Sequence, residues 1–290
     1  MTNSDRRLPV AAAIRDAYRF TFEHLGAIIG LIWLPMIIGT VLGFFIKQRA
    51  YLIFANALAS GNDARLGPAM LGLLFYGLAF LLLTAMMAVP VTELALGKRQ
   101  SGTLARFAFG PAEWRLFKSS LGLMAFLMAS LVLAALVSKL AVPAAMQMGA
   151  VALANLFMAG WLLFFAMRLG FLMPAIAVSE DAAILPRSWK LSAGNFWALL
   201  AIMLGAVGPV LLLAAFVEML IQGQAGITPG LQGPASMMAA QLNSASQNMP
   251  LTAGLDFLMA PLVMGQMLGA AAAAYRALAG RDNPLAPDGR

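Results

Sequence analysis

The chain of 290 residues contains no cysteine and a single histidine, His24. Disulfides, thiolate metal sites and thiol nucleophiles are therefore excluded, and so is a metal site built from several histidines. Charged residues make up only 11% of the composition, whereas soluble domains contain about a quarter. Hydrophobic residues make up 61%, which is typical of a chain that lies in a membrane.

Catalytic patterns are missing too. Serine, histidine and carboxylate side chains do not converge in any plausible arrangement, and no glycine-rich phosphate loop precedes a Lys-Ser or Lys-Thr pair. The adjacent carboxylates Glu180 and Asp181 lie in a polar turn and indicate a solvated helix cap. We therefore expect no enzymatic activity, no cofactor and no metal.

Long charge-free runs recur along the chain and predict an all-α fold, because a spanning helix needs about 20 apolar residues. We expect a polytopic bundle of six transmembrane helices, arranged as three hairpins with amphipathic juxtamembrane helices on the cytoplasmic side. The expected segments are a tail and interfacial helix 1–24, one transmembrane domain 25–278 and a tail 279–290. The spans are predicted at about 25–46, 68–92, 119–138, 151–178, 195–221 and 252–275.

The distribution of lysine and arginine predicts the orientation. With the N-terminus in the cytoplasm, the cytoplasmic segments hold 14 of these residues and the opposite side holds 4, with Arg168 left out as buried. The positive-inside rule then places both termini in the cytoplasm. The net charge of +7 is spread over juxtamembrane segments, so it does not indicate a nucleic-acid partner.

The segment Pro9–His24 has helical periodicity, with Arg15, Arg19 and two carboxylates on one narrow arc. A narrow charged face and a wide apolar face are typical of a helix that lies in the membrane interface. The alternative is a helix that packs on the bundle. We expect the interfacial arrangement, because the first span begins directly afterwards at Leu25.

An aromatic–basic pair precedes three of the expected spans and suggests an internal repeat, although membrane interfaces select such pairs in any case. The same segments predict contacts with lipid headgroups, with Asn195 as the helix N-cap of the fifth span. The predicted interface residues are Arg15, Tyr18, Arg19, Trp114, Arg115, Trp189, Lys190, Asn195 and Trp197.

Two segments of the sequence resemble a known family. The motif SWKLSAGNFWALL at 188–200 resembles the hallmark of a broad group of bacterial membrane proteins. That group includes the YciC-like proteins and the membrane domain fused to some glycerophosphodiester phosphodiesterases. The segment RLGFLMPAIAVSED at 168–181 is similar to the same group. The resemblance implies a six-span fold in the bacterial inner membrane. We expect no phosphodiesterase domain, because this chain has no place for the His/Glu/Asp metal constellation of that enzyme.

Arg168 is the only ionisable residue between Leu140 and Ser179. A charge at this depth is costly, so it marks a candidate site that faces protein, a wet cavity or the interface. We expect it to point toward the second or sixth span, with Glu93, Gln266, backbone carbonyls or a lipid phosphate as acceptor. It could act as a structural clamp, as a ligand site or as part of a transport path.

Pairs of glycines four residues apart indicate close helix packing, within the bundle rather than in a dimer. They are Gly26 and Gly30, Gly39 and Gly43, and Gly265 and Gly269.

These patterns favour a non-enzymatic inner-membrane protein, structural or regulatory, that acts on membrane or envelope lipids or binds a membrane-protein partner. Anionic lipid headgroups are the expected ligands. The alternative is a transporter of a small solute or lipid that uses a site near Arg168.

Overall fold

The computed structural model describes residues 8–60, 66–99, 109–141, 147–222 and 234–282. These ranges are helical and contain no strand, so the predicted all-α class is confirmed. The α-helices are α1 Val10–Glu23, α2 Leu25–Ser60, α3 Leu66–Ala95, α4 Pro111–Ala141, α5 Gln147–Phe165, α6 Met173–Ser179, α7 Ile184–Ser192, α8 Phe196–Gln222, α9 Pro234–Gln247 and α10 Met249–Asp282. A π-helical turn, Ala166–Gly170, lies between α5 and α6.

Within the described ranges, six helical stretches are long and apolar enough to cross a membrane. The predicted number of spans agrees with this count. The stretches are Leu25–Ala57, Leu66–Ala95, Pro111–Ala134, Leu156–Ser179, Phe196–Ile221 and Met249–Gly280.

Several helix bounds differ from the prediction. Helix α2 continues to Ser60 and packs against α9, which lies in a segment predicted as a loop. Gln48 Nε2 donates to the Ser246 carbonyl over 3.3 Å and joins these two helices. Helix α10 continues to Asp282 and so extends past the predicted boundary at 279.

The third and fourth spans also differ. The segment that was expected to form a separate helix before the third span belongs to the continuous helix α4, because no residue between Glu113 and Leu127 breaks it. The fourth span, predicted as one helix, is interrupted by the π-helical turn. The sequence also predicts a turn before the fourth span at Pro143, Gln147 and Gly149. Gln147 and Gly149 lie in α5, so the turn is wrong there, and Pro143 lies outside the described residues.

Two helix ends follow directly from local sequence. Gly97 has φ +70° and ends α3, where Gly97 N donates to Leu94 O and Lys98 N to Glu93 O, the two bonds of a Schellman motif. Helix α4 begins with Pro111 because proline is preorganised for the first helical position. Glu113 Oε2 accepts from Gly110 N over 3.0 Å and caps that end.

The best-buried part of the core lies at one end of the bundle. It is built from the second half of α3, from α6, from residues 265–278 of α10 and from one face of α1. We call this the basic end, because Lys98, Arg115, Arg187 and Arg276 make contacts there. Away from it, α3, α4, α5 and α8 expose large apolar side chains, as expected of surfaces that face lipid.

Helix α1 packs against α8 and α10. Ala17 and Thr21 are fully buried, and the Tyr18 hydroxyl donates to the Gly205 carbonyl over 3.2 Å. The charged side chains of α1 are exposed, including the Arg19–Glu23 ion pair at 2.8 Å. Part of the apolar face of α1 thus packs on the bundle, as in the alternative given above, while Phe22 is 63% exposed. The location of α1 in the membrane interface stays a prediction.

Two glycines of α10 explain the close packing of α1 on that helix. A Cβ at Gly269 would lie 2.8 Å from Phe20 Cδ1, and one at Gly265 would lie 2.8 Å from Thr21 Cγ2. The sixth-span pair therefore packs within the bundle, as predicted. In the first span, Gly43 approaches Tyr76 and Gly39 touches Leu83. Gly26 has open space around it, so its predicted packing role is wrong.

Candidate functional site

Arg168 lies in the π-helical turn. The bond from Phe171 N to Ala166 O measures 3.1 Å and spans five residues instead of four. Such a turn interrupts the α-helical hydrogen-bond ladder, and π turns often lie at functional sites. The Arg168 carbonyl accepts from Ser188 Oγ over 2.9 Å, and Ser192 Oγ lies 3.1 Å from the same oxygen. Both serines are fully buried, so α7 is fixed to the π-helical turn.

The Arg168 guanidinium is held by α7 as well. Its Nε donates to Ser192 Oγ over 3.3 Å and its Nη2 donates to the Trp189 carbonyl over 3.1 Å. The guanidinium carbon lies 3.6 Å from the centre of the Trp189 ring and 5.5 Å from that of Phe164. This is a close cation–π contact, which a delocalised guanidinium makes well.

Aromatic rings continue from this point along α5. The centres of Phe165 and Trp189 are 6.0 Å apart with nearly parallel rings. Trp161 lies 4.7 Å from Phe165, and Phe157 lies 6.2 Å from Trp161. Residues four apart share a helix face, so Phe157, Trp161 and Phe165 form one aromatic stripe. The stripe ends beside the Trp189 ring, which Arg168 contacts.

The predicted contacts of Arg168 with the second or sixth span are wrong. Its protein acceptors lie on α7, and of the expected protein acceptors only a backbone carbonyl, that of Trp189, is found among the described residues. Glu93 lies 3.8 Å from Arg99. Gln266 is buried, with no partner for Oε1 in the described chain. The expectation failed because the fourth span was predicted as one straight helix, whereas the π-helical turn lets α7 fold back beside Arg168.

A second polar cluster lies at the basic end. Glu180 accepts two hydrogen bonds from Arg187 Nε, at 2.8 and 3.1 Å, and one from the Tyr275 hydroxyl at 2.8 Å. Asp181 pairs with Arg115, although the Asp181 side chain is 99% exposed. The Glu180–Asp181 pair, expected to be a solvated cap, thus joins α4, α7 and α10.

Carbonyl oxygens at the C-terminal end of α6 accept hydrogen bonds from basic side chains. Arg115 Nη2 donates to Ala177 O over 2.9 Å, and Lys98 Nζ donates to Val178 O over 3.0 Å. Positive charge at a helix C-terminus is favourable, because the last carbonyls lack partners within the helix. Contacts within the protein therefore explain why Lys98, Arg115 and Arg187 lie together at the basic end.

The predicted interface residues fall into two groups. Tyr18, Arg115 and Asn195 make contacts within the protein, and their contact with lipid headgroups stays a prediction. Asn195 directly precedes α8, and its Nδ2 donates to the Ala193 carbonyl over 3.3 Å. The remaining residues are exposed, and they are Arg15, Arg19, Trp114, Trp189, Lys190 and Trp197.

Serines 188 and 192 are the site residues that sequence reasoning missed. They lie four positions apart on α7 and therefore share one face. That spacing was a usable signal, but the carbonyl that they bind became available only through the π-helical turn.

In the described ranges no group of three or more histidine, aspartate or glutamate side chains is placed to hold a metal. Comparison with protein-family models, with curated proteins and with solved structures yields no match. The likeness to YciC-like proteins is therefore a prediction that rests on the motifs alone.

Proposed function

We propose that this chain is a non-enzymatic, multi-pass protein of the bacterial inner membrane that organises membrane lipids. In this proposal both termini are cytoplasmic, so the basic end faces the cytoplasm. The spans form three hairpins, and α1 and α7 act as juxtamembrane helices. The positive-inside distribution of lysine and arginine supports this orientation.

One observation carries the proposal. Tryptophans and lysines near the start of α4, along α7 and at the start of α8 are exposed, so they are available to contact lipid headgroups. Trp197 is 76% exposed and Trp114 is 46% exposed. Lys118 lies over the Trp114 ring at 5.4 Å, and Lys190 is exposed beside Trp189. Aromatic rings at headgroup level with adjacent cations suit an anionic membrane surface.

The transporter alternative depended on a buried Arg168 inside the bundle. The guanidinium is instead half-buried against α7, and at the basic end Glu180 joins α7 and α10 through Arg187 and Tyr275. These contacts support a lipid-organising role over a solute path through the centre.

Lipid-dependent stability tests the proposal. The full chain in detergent is melted with added phosphatidylglycerol or phosphatidylcholine of the same acyl composition. We expect phosphatidylglycerol to raise the melting temperature more, and the difference to shrink with salt because exposed charges are screened. Replacing Lys118 and Lys190 with glutamine should reduce the difference. Equal effects of the two lipids would contradict the proposal.

A further inference from the structure

The charge of Arg168 has no counter-charge in the described part of the chain. The ion pairs found there join Arg19 to Glu23, Arg99 to Glu93, Arg115 to Asp181 and Arg187 to Glu180. Arg168 belongs to none of them, and its bonds go to a hydroxyl and a carbonyl, both neutral. A cation within an apolar span without a carboxylate attracts an anion from outside the chain.

The guanidinium also has unused donors. It carries five N–H groups, of which one on Nε and one on Nη2 are bonded. The two N–H groups of Nη1 and the second of Nη2 have no acceptor among the described residues. Two terminal nitrogens with free N–H groups match the spacing of two oxygens of a phosphate.

The side chain is held in place before any ligand binds. Trp189 stacks on one face of the guanidinium at 3.6 Å, and Ser192 and the Trp189 carbonyl fix one edge. Fixing a binding group in advance reduces the entropy lost on binding. Trp189 itself belongs to α7, whose two serines are bound to the carbonyl of Arg168.

The neighbouring surface is apolar and exposed. Phe157 is 70% exposed and Trp161 is 37% exposed on the aromatic stripe that leads to Trp189. An anion with a long hydrocarbon chain would cover this stripe while its phosphate meets Arg168. A free phosphate ion would leave the stripe uncovered.

We propose that Arg168 binds the phosphate of a single membrane phospholipid, and that one acyl chain of this lipid lies along Phe157, Trp161 and Phe165. The inference rests on the proposed function and names the ligand of one site within it. Phosphate oxygens accept from Nη1 and Nη2, while the hydrocarbon chain covers the aromatic stripe.

Retained lipid is the quantity to measure. The full chain is delipidated in detergent and titrated with phosphatidylglycerol, and bound lipid is counted by native mass spectrometry. We expect one tight site in the parent and roughly tenfold weaker binding in Arg168→Gln, because charge-assisted hydrogen bonds are lost. Lys47→Gln removes a positive charge from α2, where Lys47 lies over the Tyr76 ring at 5.0 Å, away from Arg168, and should keep the tight site.

The aromatic stripe supplies a test that does not disturb the fold. Phe157→Ala should weaken the tight site, whereas Leu212→Ala, on an equally exposed apolar position of α8, should not. Glycerol phosphate, which lacks acyl chains, should not compete at matched concentrations. Competition by glycerol phosphate, or unchanged lipid binding in either Arg168→Gln or Phe157→Ala, would overturn the inference.

The two proposals fail separately. An Arg168→Gln protein that keeps its tight lipid while phosphatidylglycerol still stabilises the parent preferentially would overturn the Arg168 site alone. A tight site that depends on Arg168, without any preferential stabilisation of the parent, would overturn the lipid-organising function and support the site.

Discussion

The Tyr275 hydroxyl donates to Glu180 Oε1 over 2.8 Å and thereby joins α10 to the turn after α6. The two residues are 95 positions apart in sequence. Because Arg187 binds the same carboxylate, Glu180 connects three segments at the basic end. These bonds give Glu180 a structural role at the basic end.

Replacing Glu180 with glutamine should therefore destabilise the protein. Hydrogen bonds to a charged partner contribute about 1.5–3 kcal/mol, so we expect a loss of about 2 kcal/mol in the free energy of unfolding. Asp181→Asn is the control, since an ion pair with a fully exposed partner contributes little. Thermal melting in detergent measures both, and equal losses for the two variants would contradict this assignment.

The two serines on α7 should behave non-additively. Ser188→Ala alone leaves Ser192 beside the Arg168 carbonyl, and the reverse holds for Ser192→Ala. We expect each single change to cost about 1 kcal/mol and the double change to cost more than the sum, because the carbonyl then has no partner. Ser130→Ala, in an exposed turn of α4, is the control. Strict additivity in the melting data would argue against a shared acceptor.

Packing of α1 against α10 depends on glycines, which have no side chain to separate the two helices. Gly269→Ala would place a methyl group 2.8 Å from Phe20 Cδ1 and 3.3 Å from Ala17 Cα. Overpacking of this kind costs about 1–3 kcal/mol. Gly254→Ala lies in the same helix with open space and should be neutral or slightly stabilising. Comparable melting temperatures for the two variants would show that α1 does not dock here.

Orientation is tested with a reporter that is active only in the periplasm. Fused after Arg290 it should be silent, and inserted within residues 223–250 it should be active, if both termini are cytoplasmic. Activity at both positions would contradict the six-span arrangement with an even number of crossings.

The apolar runs were sufficient to predict the class of fold and the number of candidate spans. The length of an apolar run shows whether a helix can cross a membrane, and that length is read directly from the sequence. The apolar runs did not predict that α2 would continue to Ser60 or that α9 would form, because both are stabilised by contacts between distant segments, such as Gln48 with Ser246. Periodicity in one segment carries no information about its partner.

The candidate site shows the same limit. The isolation of Arg168 in an apolar run identified the residue, but its partners were predicted with the fourth span as one straight helix. Helix α7 folds back beside the π-helical turn, so Trp189, Ser188 and Ser192 became its neighbours. The motif SWKLSAGNFW contains both serines, yet they were overlooked because their acceptor, the Arg168 carbonyl, lies 20 and 24 positions earlier in the sequence.

An experimental density map of the chain in a phosphatidylglycerol-containing nanodisc tests the central claim most directly. The account predicts Trp189 stacked on Arg168, and headgroup density within hydrogen-bond distance of Nη1 that continues as a hydrocarbon chain beside Trp161 and Phe157. A guanidinium turned into the bundle toward Glu93 or Gln266, with no lipid density at the aromatic stripe, would contradict it.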